Sequence, residues 1–109
     1  MLDKLCLILL IIILSGFEER KSIEESIKKD IPYLKSLYLD IHKNPEISLM
    51  EKETSKKLAN ELEKIGFEVT RNFGGYGVVG IFKNGNGPTI LYRTDMDALP
   101  MKEKTGLSY

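Results

Sequence analysis

The chain has 109 residues, enough for one small domain with a modest core. Its 16 basic residues balance its 16 acidic ones, so no single-sign field argues for a nucleic-acid partner. One cysteine, Cys6, and one histidine, His42, exclude an internal disulfide framework and a His-rich metal centre.

Residues 1–16 hold an unbroken apolar run from Leu5 to Leu14. A bilayer span takes roughly 20 such residues, whereas the apolar core of an export signal takes about 7–15. With Lys4 before the run and Ser15 and Gly16 after it, residues 1–16 are expected to be a signal peptide or leader. That implies export, to the periplasm or beyond, or retention at a membrane by an uncleaved leader. A buried core segment is the alternative. Residues 17–109 are then the mature domain.

From Ser22 to about His42 apolar residues recur at helical steps: Ile23, Ile27, Ile31, Leu34, Leu37, Tyr38 and Ile41. Ser22 and Glu25 match a capping box. Pro32 predicts a restart, with Asp30 as N-cap. Asn44-Pro45 closes the helix. A second helix is predicted from Leu49 to Ile65, with Leu58, Leu62 and Ile65 as its stripe and Ala59 beside it. Gly66 takes the left-handed position after it.

The period then changes. Phe67, Val69 and Arg71 predict a short strand, broken by Gly74-Gly75. Gly77 to Lys83 predicts a second, and Asn84 to Gly87 a hairpin turn into a third. The third, Thr89 to Arg93, is apolar on both faces and is expected to be a buried central strand. The fold class is therefore α/β, two helices followed by three strands, with further cover expected for the sheet.

Candidate chemistry gathers where the third strand ends. Arg93, Asp95 and Asp97 alternate, and alternate side chains of an extended chain share a face. Carboxylates there can bind a divalent metal, orient a metal-bound histidine or act as a base, or simply start a turn. Arg93 can clamp a substrate carboxylate or pair with Asp95 or Asp97. His42, Pro45 and Glu46 form H-x-x-P-E at a helix end. There His42 is a ligand, a base or a structural hydrogen-bond partner, and Glu46 and Glu51 are surface or capping carboxylates. Gly74, Gly75 and Gly77 open no helix in a G-x-G-x-x-G pattern and read as turn residues.

Three stretches, LYLDIHKNPEISLMEKET, LANELEKIGFEV and GGYGVVGIFKNGNGPTILYRTDMDALPMKEKTGLSY, agree in order and spacing with a known family. Together, over residues 34–109, they resemble the opening of the metal-dependent amidohydrolases of the aminoacylase and carboxypeptidase superfamily. The nearest branch is that of hippurate hydrolase and the N-acyl-amino-acid amidohydrolases. The resemblance implies the N-terminal part of an α/β/α sandwich catalytic domain and hydrolysis of N-acyl amino acids or small peptides. The chemistry would use water activated by two divalent metals (Zn, Mn, Co or Ni). It also implies a homodimer, formed through a second domain. Related branches end the corresponding strand in His-x-Asp. Here Asp97 matches the carboxylate that orients the ligand, and Asp95 stands at the ligand's own position. The family's H-A-C-G-H motif, Glu pair and later histidines would follow Tyr109. The chain is therefore expected to be an N-terminal portion that alone is inactive and holds no metal tightly. The alternatives are a non-enzymatic exported binding or interaction module and a pseudogene product.

Overall fold

The computed structural model describes residues 4–108; the first three residues of the expected leader, and Tyr109, lie outside that range. It contains two helices, α1 Lys4–Lys43 and α2 Lys52–Lys64, then two strands, β1 Glu68–Phe73 and β2 Gly77–Ile81. This is a small mixed α/β arrangement, as the sequence pattern implies. The chain divides into two compact units between Asp40 and Ile41.

The first unit is helical. α1 runs unbroken through the apolar stretch, the charged stretch Glu18–Lys21 and the periodic segment after it. Three expectations are corrected here. Ser22 and Glu25 do not cap a helix, because Glu18, Glu19, Arg20 and Lys21 are good helix formers and carry the preceding helix through. Asp30 does not start a new helix. Pro32 lies inside α1, where its missing donor and its ring's clash with the preceding turn do not end a 40-residue element. Ser15 lies within the helix, and its hydroxyl donates to the carbonyl of Ile12 at 2.9 Å. The apolar residues Ile8 to Leu14 are exposed, as are Ile23, Ile27, Ile31 and Leu34. No helix among the described residues is long and apolar enough to cross a membrane.

The second unit carries the sheet. α2 begins three residues later than expected, because the chain turns sharply before it. Leu49 adopts a left-handed φ of 67°, Met50 N–H donates to the Ile47 carbonyl at 3.0 Å, and Leu49 N–H donates to Glu51 Oε1 at 2.9 Å. The far end is as predicted. Gly66 has φ 92°. Its N–H reaches the Glu63 carbonyl, and Phe67 N–H reaches the Leu62 carbonyl, both at 3.0 Å. That pair of bonds is the Schellman arrangement, which only a residue tolerant of positive φ ends cheaply.

β1 and β2 pair antiparallel, with Glu68 opposite Ile81, Thr70 opposite Val79 and Phe73 opposite Gly77. A bulge between Arg71 and Phe73 places Asn72 at φ 58°, and Gly74 and Gly75 make the turn at φ 63° and 118°. The hairpin is thus closed by Gly74-Gly75, not by Asn84–Gly87. Gly85 does take a positive φ, but the segments beside it do not pair. α2 packs on both strands. Ala59 is fully buried, Phe67 and Phe82 stack at 5.2 Å between ring centres, and Leu62 and Phe67 close over Gly80. Ile65, expected in the stripe, is exposed.

The expected third strand is absent. Residues 89–93 form no ladder with β1 or β2, and Ile90, Leu91 and Tyr92 are exposed. An apolar run on both faces needs neighbouring strands and a layer on each side before it becomes a central strand. Neither is supplied here by the described residues.

Candidate functional site

The segment after residue 93 is held by a single parallel bridge between Ile47 and Ala98. Its bond is from Ala98 N–H to the Glu46 carbonyl, 2.7 Å. Exposure alternates along the segment: Met96 and Ala98 are half-buried, whereas Asp95 and Asp97 are exposed. The period-two reading of these residues therefore holds locally even without a strand. Apolar Met96 and Ala98 turn inward, and the two carboxylates share the solvent side.

Arg93 takes the simpler of its two expected roles. Its Nη2 donates to Asp95 Oδ1 at 2.7 Å, with both side chains largely in solvent. Asp95 is thus engaged by a cation at the position where related chains are expected to carry a metal ligand. Asp97 makes no hydrogen bond or ion pair among the described residues. Of the two, it is the carboxylate left available.

The H-x-x-P-E stretch lies against the same segment. His42 Nε2 stands 3.3 Å from Glu103 Oε2. Glu103 also accepts from Thr105 N–H at 2.8 Å. Those hydrogen bonds from Thr105, and to a lesser degree its charge contact with His42, hold the Glu103 carboxyl below its ordinary acidity range. Four residues after His42, Glu46 reaches the other way, toward α2. Its Oε1 and Oε2 accept the N–H groups of Glu53 and Thr54 at 3.1 and 2.7 Å. These bonds lower the Glu46 pKa, with the Thr54 N–H the largest cause. Glu46 is therefore the capping carboxylate of α2, since Glu51 at the cap position makes no such side-chain bond. Beneath this cap Thr54 and Ser55 are buried.

Two features of this region had no local signal in sequence. The bond from Ala98 to Glu46 joins residues about fifty positions apart through backbone atoms, a donor that every residue but proline carries and an acceptor that all carry. Glu103 lies in a polar stretch with no periodic pattern. Also unforeseen is the tie from Arg71 on β1 to α2: Nη2 reaches Asn60 Oδ1 at 2.7 Å and Glu63 Oε2 at 2.8 Å. Glu63 is therefore paired across the α2–β1 packing and is not merely part of a solvated face.

As a metal centre the arrangement is incomplete. No group of three or more His, Cys, Asp or Glu side chains among the described residues is placed to hold an ion. A shallow depression beside Glu46, between Asn44 and Pro45 on one side and Lys56 and Asn60 on the other, does not include Asp95 or Asp97.

Comparison with known proteins places these observations. The chain is 47% identical over 70 residues to hippurate hydrolase of Campylobacter jejuni, covering 63% of this chain and 18% of the relative. It is 43% identical over 63 residues to IAA-amino acid hydrolase ILR1-like 5 of Arabidopsis thaliana, covering 58% and 14%. It is 37% identical over 91 residues to thermostable carboxypeptidase 2 of Saccharolobus solfataricus, covering 78% and 23%. The chain thus spans less than a quarter of the length of each of these relatives. No family model matches it, and no solved structure does.

Proposed function

Because the chain is homologous to part of an amidohydrolase and carboxypeptidase family, we propose that it forms the opening of the catalytic domain of a metal-dependent amide hydrolase. The substrates would be N-acyl amino acids or small peptides. The observation that carries this reading is the agreement between relatives named as hydrolases and a carboxypeptidase and the placement of Asp97. Asp97 is an exposed, unpaired carboxylate at the end of an apolar segment, anchored by the bridge next to it. In such an enzyme Asp97 would accept the ring N–H of a histidine supplied from outside the described residues and so fix its tautomer. The metals would polarise the amide carbonyl and activate water.

The described residues do not by themselves fit two metal ions, since no three His, Cys, Asp or Glu side chains gather among them. Asp95, paired with Arg93, shapes the loop; it is not proposed as a ligand. Export through residues 1–16, and dimerisation through a further domain, belong to the same proposal.

The test is hydrolysis of hippurate and related N-acyl amino acids with added Mn²⁺ or Zn²⁺. The 109-residue chain would be compared with any in-frame extended product. The expected result is chelator-sensitive turnover by the extended product only. Turnover by the 109-residue chain would refute the assignment of the missing ligands. An extended product lacking histidine and glutamate ligands, and inactive, would refute the enzyme reading.

A further inference from the structure

We propose that Glu46 is a positioning residue for Asp97, joining the N-terminus of α2 to the loop that presents the carboxylate. The inference rests on the amide-hydrolase reading for the purpose of the loop, but not for the linkage itself.

Glu46 is held at both ends. Its carboxylate accepts two adjacent N–H groups of the first turn of α2, those of Glu53 and Thr54. Its main-chain carbonyl accepts Ala98 N–H at 2.7 Å, the shorter class of such bonds. Pro45 restricts the backbone immediately before it. A residue tethered by its side chain to a packed helix has little freedom to turn its carbonyl elsewhere. The direction of that carbonyl then sets the position of Ala98, and Ala98 is the residue after Asp97.

The same bond makes the parallel bridge between Ile47 and Ala98, and the chain adds one further restraint: His42 contacts Glu103 five residues beyond Ala98. The loop from Asp97 to Glu103 is thereby pinned near both ends by one short stretch, residues 42–47. α2 is in turn fixed against the hairpin by buried Ala59 and by the Arg71 contacts to Asn60 and Glu63. One path from the packed part of the unit to Asp97 therefore runs through Glu46, whose side chain bonds α2 and whose main-chain carbonyl bonds the loop.

The experiment is amide hydrogen exchange and backbone chemical shifts of the full 109-residue chain, labelled with ¹⁵N. Wild type is compared with Glu46→Ala and Glu46→Gln. In Glu46→Ala, exchange should rise roughly two- to tenfold at Glu53 and Thr54, the factor expected for loss of one hydrogen bond, and by a comparable factor at Ala98. The Asp97 backbone shifts should move with it, while the hairpin amides of Val78 to Ile81 stay put. Glu46→Gln keeps one carbonyl acceptor and should restore much of the Ala98 protection.

A loss confined to Glu53 and Thr54, with Ala98 and Asp97 unchanged, would overturn the proposal. So would an Ala98 amide that exchanges freely in wild type. If Glu46→Ala loses the hairpin amides too, the decision passes to Glu46→Gln. There, unequal protection of Glu53 and Thr54 with a shifted Asp97 supports the link, and an unmoved Asp97 refutes it. None of these measurements uses substrate or metal. The linkage can therefore fail while the amide-hydrolase reading stands, and the reverse.

Discussion

Adding one carbon at Gly77 should unmake the hairpin. An alanine Cβ there would lie 2.3 Å from the Phe73 carbonyl oxygen and 3.3 Å from the Phe73 carbonyl carbon. Both are backbone atoms, so no rotamer change relieves the contact. Phe73 is also the cross-strand partner of Gly77, next to the bulge. The strand must move away, at the point where ladder and turn meet. Overpacking of this kind costs about 1–3 kcal/mol. With a urea slope of about 1 kcal/mol/M, at the low end for small proteins, the midpoint falls by roughly 1–3 M. Few apolar side chains among the described residues of this unit are buried, Ala59 alone fully so, and such a loss should leave β1 and β2 unpaired. Gly87→Ala is the control, because a Cβ at Gly87 meets nothing within 4 Å and no positive φ is involved. Urea denaturation followed by far-ultraviolet circular dichroism, with nuclear magnetic resonance shifts of the hairpin amides, makes the comparison. A Gly77→Ala midpoint equal to that of wild type and Gly87→Ala would refute the reasoning.

Two other expectations follow from the electrostatics. The carboxyls of Glu46 and Glu103 have folded pKa values below the ordinary 4.5. Their contribution is therefore fully present above that value and is lost as pH falls from it through the lower folded value. Urea midpoints should drop on acidification in that window, and by less in Glu46→Gln; midpoints that rise there would contradict the cap. Arg93→Ala should change stability by less than about 1 kcal/mol, because the Arg93–Asp95 pair is largely solvated. A larger loss on denaturation would mean that the pair holds more than its own loop.

Local chemistry was legible in sequence and long-range pairing was not. The Gly66 terminus of α2 follows from one residue's tolerance of positive φ, and it is where the pattern puts it. The exposure of Asp95 and Asp97 on one side follows from a period of two. By contrast, Asn84–Gly87 has the composition of a hairpin turn, yet the pairing closes through Gly74-Gly75. Turn residues permit a reversal; the partners that pair are decided by what packs on α2. The Leu91 segment shows the same limit, since an apolar sequence states what must be buried and not against what. At Pro32 the local cost of one lost bond does not outweigh the helix on either side. The Glu46–Ala98 bond is carried by main-chain atoms, and sequence is blind to it.

The segment from Thr89 to Tyr92 combines β-prone, apolar side chains with backbone that no neighbouring strand engages. Such a segment is a template for any chain of similar character, including another molecule of this one. Pro88 and the Arg93–Asp95 pair flank it, a proline that cannot donate and a pair of charges that resist stacking. They act as gatekeepers at the two ends of a short sticky run. The amount of this protein that stays in solution should accordingly depend on its concentration and on salt, which weakens the charged gatekeeper while leaving the apolar run untouched.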